Sequence, residues 1–120
     1  MSVSLATLVF DCGNAADLAR FWSGVLDRPV DPDADADFAS IGMGGDWSAR
    51  PAWMFTKVPE GKVSKNRVHV DLTSATWAAE VERVVALGAT RLSDFDENGA
   101  RWTTLADPEG NEFDIIEGED

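Results

Sequence analysis

Arg67-Val68-His69-Val70-Asp71-Leu72-Thr73 decides the fold, because it restarts a pattern that the chain has already used once. Val68, Val70 and Leu72 fall on one side and Arg67, His69 and Asp71 on the other, the period of a strand with one buried face. About sixty residues upstream, Ser4 to Cys12 alternates in the same way, with Ala6, Leu8 and Phe10 facing one side and Thr7, Val9 and Asp11 the other. Each of these strands leads into an amphipathic helix. Gly13-Asn14 breaks the first strand and offers Asn14 as an N-cap; Leu18, Phe21, Trp22, Val25 and Leu26 then lie on one stripe until Pro29 stops the helix. In the second half the stripe is Trp77, Val81, Val84 and Val85, and Gly88 ends it.

The remaining segments read as strands. The first half has Phe38 to Met43, a turn at Gly44-Gly45, and an apolar strand around Trp53-Met54-Phe55. Val58 to Asn66 is a polar linker containing Pro59 and Gly61. The second half has Thr90-Arg91-Leu92, Trp102 to Ala106 and Glu112 to Ile116, the last two joined by the turn Asp107-Pro108-Glu109-Gly110-Asn111. Each half reads βαβββ, module one over about 3–58 and module two over about 66–117. Neither sheet can bury a face alone. The predicted fold is therefore α+β: two βαβββ modules forming a curved mixed β-sheet cup with helices on the outer face, residues 1–120 making one domain.

Composition narrows the function classes. Twenty-two acidic against 10 basic residues leave a net charge of −12, which opposes binding to a nucleic-acid backbone or an anionic membrane surface. The same charge would steer a cationic ligand inward. Cys12 is the single cysteine, so no intrachain disulfide forms; the first residues lack the pattern of a secretory leader, and a cytoplasmic location is expected.

Three stretches together resemble the glyoxalase/bleomycin-resistance/dioxygenase, or vicinal oxygen chelate, superfamily, and within it the glyoxalase-like subgroup. They are Asp17-Leu18-Ala19-Arg20-Phe21-Trp22 with Val25-Leu26, Lys65-Asn66-Arg67-Val68-His69-Val70-Asp71-Leu72, and Asp107-Pro108-Glu109-Gly110-Asn111-Glu112-Phe113. The resemblance implies a ligand-holding cup, a divalent metal at its floor in many members, and a homodimer. It places Thr7 where the first histidine ligand stands in metal-dependent relatives, His69 at the second, and Asp114 at the final glutamate. A further ligand belongs on the strand near Trp53 to Thr56, with Met54 and Thr56 as candidates and the register open.

Parity independently puts His69 on the polar face beside Arg67 and Asp71, and Asp114 alternates with Phe113 and Ile115. One imidazole and one carboxylate make an incomplete set, so any divalent metal at His69 and Asp114 would be weakly held. Without metal, His69 and Asp114 are the candidates for a catalytic base and its orienting partner. The expected small-molecule site is lined by Thr7, Trp53, Thr56, Arg67, His69, Asp71, Trp102, Thr104 and Asp114. Trp47, Trp53 and Trp102 would serve as stacking walls, while Trp22 and Trp77 belong to the core.

Other motifs fail on inspection. Asp31, Asp33, Asp35 and Asp37 lack the glycine and glutamate of a calcium loop, and read as a solvated acidic loop. Gly42-Met43-Gly44-Gly45 lacks the Lys-Ser/Thr of a phosphate-binding loop. Two function classes stand: an enzyme of lyase, isomerase or dioxygenase type acting on a small oxygenated substrate, and a non-catalytic module that sequesters a small molecule or antibiotic. Thr7 in place of the first histidine argues against a standard lactoylglutathione lyase.

Overall fold

The computed structural model describes residues 2–119, which form two compact units divided between Gly61 and Lys62. In the first unit β1 (Thr7–Cys12) leads into α1 (Ala15–Leu26), followed by β2 (Phe38–Ile41), a short 3-10 turn at Trp47–Ala49, and β3 (Ala52–Lys57). Asn14 caps α1 as predicted, its side chain accepting from the Asp17 N–H at 3.0 Å. The helix ends at Leu26 because Asp27 takes the left-handed conformation, φ 53°. The three strands are ordered β1-β3-β2, with β1 and β3 parallel and β2 and β3 antiparallel.

The register is Thr7 opposite Ala52, Phe10 opposite Phe55 and Ala39 opposite Phe55. The α1 side of the sheet therefore carries Leu8, Phe10, Trp53, Phe55, Ala39 and Ile41, and α1 buries Leu18 and Trp22 against it. Phe10 stacks on Trp53 with centroids 5.5 Å apart, and Trp22 lies 4.9 Å from the same ring. Each such aromatic removes on the order of 150–250 Å² from water, so this cluster dominates the unit's stability.

The second unit runs β4 (Val70–Ser74), α2 (Trp77–Leu87), β5 (Thr90–Glu97), β6 (Ala100–Ala106) and β7 (Glu112–Glu117), with strand order β4-β7-β6-β5. This is the predicted βαβββ. Val81, Val84, Leu105, Phe113 and Ile115 form its core, and Gly88 (φ 128°) ends α2 where a side chain would be strained. Val85 lies on the predicted stripe but is 39% exposed. Trp77, expected in the core, is only half-buried, with the Arg101 guanidinium 5.1 Å from its ring centre.

The two units differ by one strand. By order, β1, β3 and β2 correspond to β4, β7 and β6, so β5 has its counterpart in the segment between α1 and β2. That segment holds Pro29, Pro32 and five aspartates, none of which suits a strand. It is not merely solvated. Asp31 accepts from Ser40 Oγ at 2.7 Å, Met43 N at 2.9 Å and Gly42 N at 3.1 Å, and Asp35 accepts from Asp37 N and Phe38 N. Together with two backbone bonds to β2, Asp31 N to Ser40 O at 2.8 Å and Asp35 N to Phe38 O at 2.9 Å, these side-chain bonds hold the segment where strand pairing holds β5 in the second unit.

β4 also starts later than its sequence suggests. The alternation begins at Arg67, yet the strand begins at Val70, the chain bends at Arg67, and Val68 is 77% exposed rather than on the apolar face. Asn66 causes this departure. Its Oδ1 accepts the Glu112 N–H at 3.0 Å and its Nδ2 donates to Asn111 Oδ1 at 3.1 Å. The β4–β7 register sets Val70 opposite Phe113, so the next place upstream, opposite Glu112, is His69's. Asn66 reaches that level only because the two residues between it and His69, Arg67 and Val68, fold back instead of running straight.

Candidate metal centre

The register of the second sheet builds the site. Asp71 stands opposite Asp114 on the parallel β4–β7 pair, and Asp114 stands opposite Thr104 on the antiparallel β6–β7 pair. All three lie on the face away from α2, because Phe113, Leu105 and Ile115 occupy the other parity and are buried. His69, two residues before Asp71, comes to the same face. Its Nε2 lies 3.4 Å from Asp71 Oδ1 and 3.5 Å from Asp114 Oδ2. Thr104 Oγ1 donates to the other Asp114 oxygen, Oδ1, at 2.6 Å.

One ligand atom from each of His69, Asp71 and Asp114 lies within 4.8 Å of the others. Donors about 2.1 Å from a divalent ion sit roughly 3–3.4 Å from each other, so the two His69 edges already match a coordination triangle. The donor set is an imidazole nitrogen and two carboxylates, which suits a borderline or hard divalent ion such as Mn²⁺. Asp114 is the most enclosed of the three, with 14% of its side chain exposed against 50% for His69 and 51% for Asp71. The residues fit a cation bound at the surface of the sheet, open on its solvent side.

Electrostatics agree. Burial pushes the Asp71 carboxyl above the ordinary carboxylate range, and hydrogen bonding to and repulsion from Asp114 add to the rise, with His69 opposing it. Two carboxylates this close favour a shared proton or a cation between them.

The second row of the same face starts at Thr73 on β4 and is apolar across β7, β6 and β5. Trp102 lies opposite Ile116 on β7 and opposite Phe95 on β5, and the Trp102 and Phe95 rings stack at 5.0 Å with 16° between planes. This row is one side-chain repeat, about 7 Å, along the strands from Asp114 and Thr104.

Of the predicted site residues, the structure unites His69, Asp71, Thr104 and Asp114, with Trp102 in the adjacent row. Arg67 sits exposed at the bend. Thr7 and Thr56 lie on the face of the first sheet away from α1, where Thr7 Oγ1 is 4.0 Å from Met43 Sδ and Thr56 Oγ1 donates to Asp11 Oδ1 at 3.2 Å. Met54 shares that face, which fixes the register left open by the sequence. Trp53 does not belong with them: its parity turns it under α1, 7% exposed, so it is a core residue rather than a stacking wall. Asp71 was expected to line the site, and the structure makes it a third possible ligand. The signal was its position two residues after His69 on a strand.

The glyoxalase-like domain model matches residues 7–116. The chain belongs to that family. The match runs through both units. No curated protein sequence matches the chain. Among solved structures, a glyoxalase/bleomycin resistance protein/dioxygenase family enzyme from Burkholderia phytofirmans superposes with a TM-score of 0.75 at 16% identity, covering 95% of this chain and 98% of that one. A glyoxalase-related enzyme from Fulvimarina pelagi gives 0.71 at 18% identity, covering 98% and 88%. A variant of the fosfomycin resistance protein FosX from Listeria monocytogenes, complexed with Mn(II) and 1S,2S-dihydroxypropylphosphonic acid, gives 0.75 at 11% identity, covering 98% and 91%. These likenesses establish the vicinal oxygen chelate fold. Among the described residues, no helix is long and apolar enough to cross a membrane.

Proposed function

We propose that this glyoxalase-like protein binds a divalent cation at His69, Asp71 and Asp114 and acts there on a small molecule with neighbouring oxygen atoms, as a lyase, isomerase or dioxygenase-type enzyme. The observation that carries the reading is the triangle of ligand atoms on one sheet face. A cation bound there supplies Lewis acidity toward adjacent substrate oxygens. Thr104 holds Asp114 in one orientation, and the Trp102–Phe95 stack seats an apolar portion of the substrate one row away. Arg67, at the bend beside His69, offers a positive charge for an anionic substituent. The Mn(II) held by the FosX relative supports the choice of metal.

The stacked aromatic pair and the net charge of −12 favour a second reading, a binding module that traps a cationic, aromatic small molecule without chemistry. A homodimer is proposed as the working assembly, and light scattering checks it.

Elemental analysis of protein purified without chelators separates the two readings, together with a thermal-shift series in Mn²⁺, Fe²⁺, Zn²⁺ and cationic aromatic antibiotics. The enzyme reading predicts bound metal and a concentration-dependent rise in Tm with metal. Stabilisation by the antibiotics alone, with no metal bound, overturns it in favour of the second.

A further inference from the structure

Two motifs distant in the sequence, Lys65-Asn66-Arg67-Val68-His69 and Asp107-Pro108-Glu109-Gly110-Asn111-Glu112, are joined in the fold by side chains. Asn66 accepts the Glu112 N–H and donates to Asn111 Oδ1. Asn111 Nδ2 in turn donates to Asp107 Oδ2 at 3.1 Å, while Asp107 Oδ1 accepts the N–H groups of Glu109 and Asn111, both at 2.9 Å. Asp107 is 3% exposed. The Lys65 ammonium pairs with the Glu112 carboxylate, making a second tie between the same segments.

These contacts lie outside the metal centre, and the hairpin's own turn is already closed by Gly110 N to Asp107 O at 2.9 Å and Asp107 N to Asn111 O at 2.8 Å. The Asn66 bonds therefore add nothing the hairpin needs for itself. Their effect is on the incoming chain. His69 precedes the first paired residue of β4, so no ladder hydrogen bond of that strand fixes it. Apart from Asn66, the ties between this segment and β7 among the described residues are the exposed Lys65–Glu112 pair and the 3.5 Å contact of His69 with Asp114 that the clamp would hold in place.

We infer that Asn66 is a positioning residue for the metal centre: by clamping the bend at Arg67 to the start of β7, it holds the His69 imidazole over Asp71 and Asp114. The inference rests on the metal-centre reading for its consequence, though not for its geometry. Residues that orient a metal-ligating histidine are generally worth about 10- to 100-fold in metal affinity.

The test uses the full chain with Mn²⁺ as probe. Asn66→Ala is expected to weaken Mn²⁺ binding about tenfold in the wild-type background and to have no further effect in a His69→Ala background, since it acts through His69. An equal loss in both backgrounds overturns the inference. A second readout needs no metal: nuclear Overhauser contacts between the His69 ring and the Thr104 methyl or Asp114 methylene protons. These should be present in the wild type and lost in Asn66→Ala. If Asn66→Ala unfolds the chain, Asn66→Asp, which keeps an acceptor for the Glu112 N–H but replaces the donor to Asn111 Oδ1 with a charged oxygen, should weaken them. Contacts unchanged in a folded variant overturn the inference. Contacts that depend on Asn66 in a protein that binds no Mn²⁺ uphold the clamp and overturn the metal-centre reading instead.

Discussion

Asp71 and Asp114 face each other across the parallel β4–β7 pair, on the side of the sheet away from α2, with His69 Nε2 within 3.5 Å of each. Two carboxylates on adjacent strands at the same level repel unless something positive stands between them. The fold makes this arrangement unavoidable once β4 and β7 pair in this register, because Phe113 and Ile115 must face α2.

Thr104→Val tests the support beneath the cluster. The substitution keeps the shape and removes the 2.6 Å bond to Asp114 Oδ1. Metal affinity should fall about tenfold, while stability changes by only about 1 kcal/mol. Calorimetric titration with Mn²⁺ and urea unfolding read the two quantities separately.

The raised carboxyl of Asp71 sets a sign for pH dependence. Burial and Asp114 make the folded chain hold this proton more tightly than the unfolded chain does. The resulting stability is full below the ordinary carboxylate value and is lost as pH rises through the higher folded value. Asp71→Asn should therefore flatten this part of the stability profile and make the metal-free protein slightly more stable at neutral pH. The effect is small because the side chain is half exposed. Guanidinium unfolding from pH 3 to 8, with chelator present, measures it; a steeper fall in the variant would contradict the assignment.

Asp31 has the opposite sign. Burial alone would raise its carboxyl, but bonds from Ser40, Met43 and Gly42 and the charge of Arg28 outweigh it and hold the group below the ordinary range. Its contribution is present above the unfolded value and is lost as pH falls through the folded one. Asp31→Ala should cost about 1–3 kcal/mol at neutral pH and much less in acid, as measured by thermal unfolding at both.

The two tryptophans predicted to line the site should separate cleanly. Trp53→Ala removes a ring packed on Phe10 and Trp22 and should cost about 3–5 kcal/mol. Trp102→Ala should cost less, because the ring is half-buried on the sheet face, and should instead weaken binding of any ligand found in the thermal-shift series. Melting temperatures and ligand titrations of both variants decide this.

Strand parity was legible in the sequence, and it carried the site a long way. Alternation around His69 and Asp114 put both on the polar face, while the hairpin register that sets Thr104 opposite Asp114 is seen only in the structure. Helix stripes gave α1 and α2, with Asn14 at the start of the first and Gly88 at the end of the second; the end of α1 comes at Asp27, before the expected stop at Pro29. The sequence misled where side chains override pattern. Asn66 pulls Arg67 and Val68 out of a strand that their alternation predicts, and Asp31 and Asp35 organise a segment that has no period at all. Asp71 as a third ligand was hidden for a related reason. Its partner set depends on where β4 begins and on the bend before it, both decided by hydrogen bonds between residues 45 or more positions apart. Trp53 was misplaced because the register of β3 comes from its pairing with β1, which its own residues do not encode.

The most direct test of the metal centre is a Mn²⁺ titration of chelator-treated protein followed by electron paramagnetic resonance, comparing wild type with Asp71→Asn. The wild type should bind one saturable Mn²⁺ per chain, and Asp71→Asn should lose at least tenfold in affinity while its far-ultraviolet circular dichroism is unchanged. Absence of saturable binding in the wild type, or equal affinity in the variant, would contradict a centre built from His69, Asp71 and Asp114.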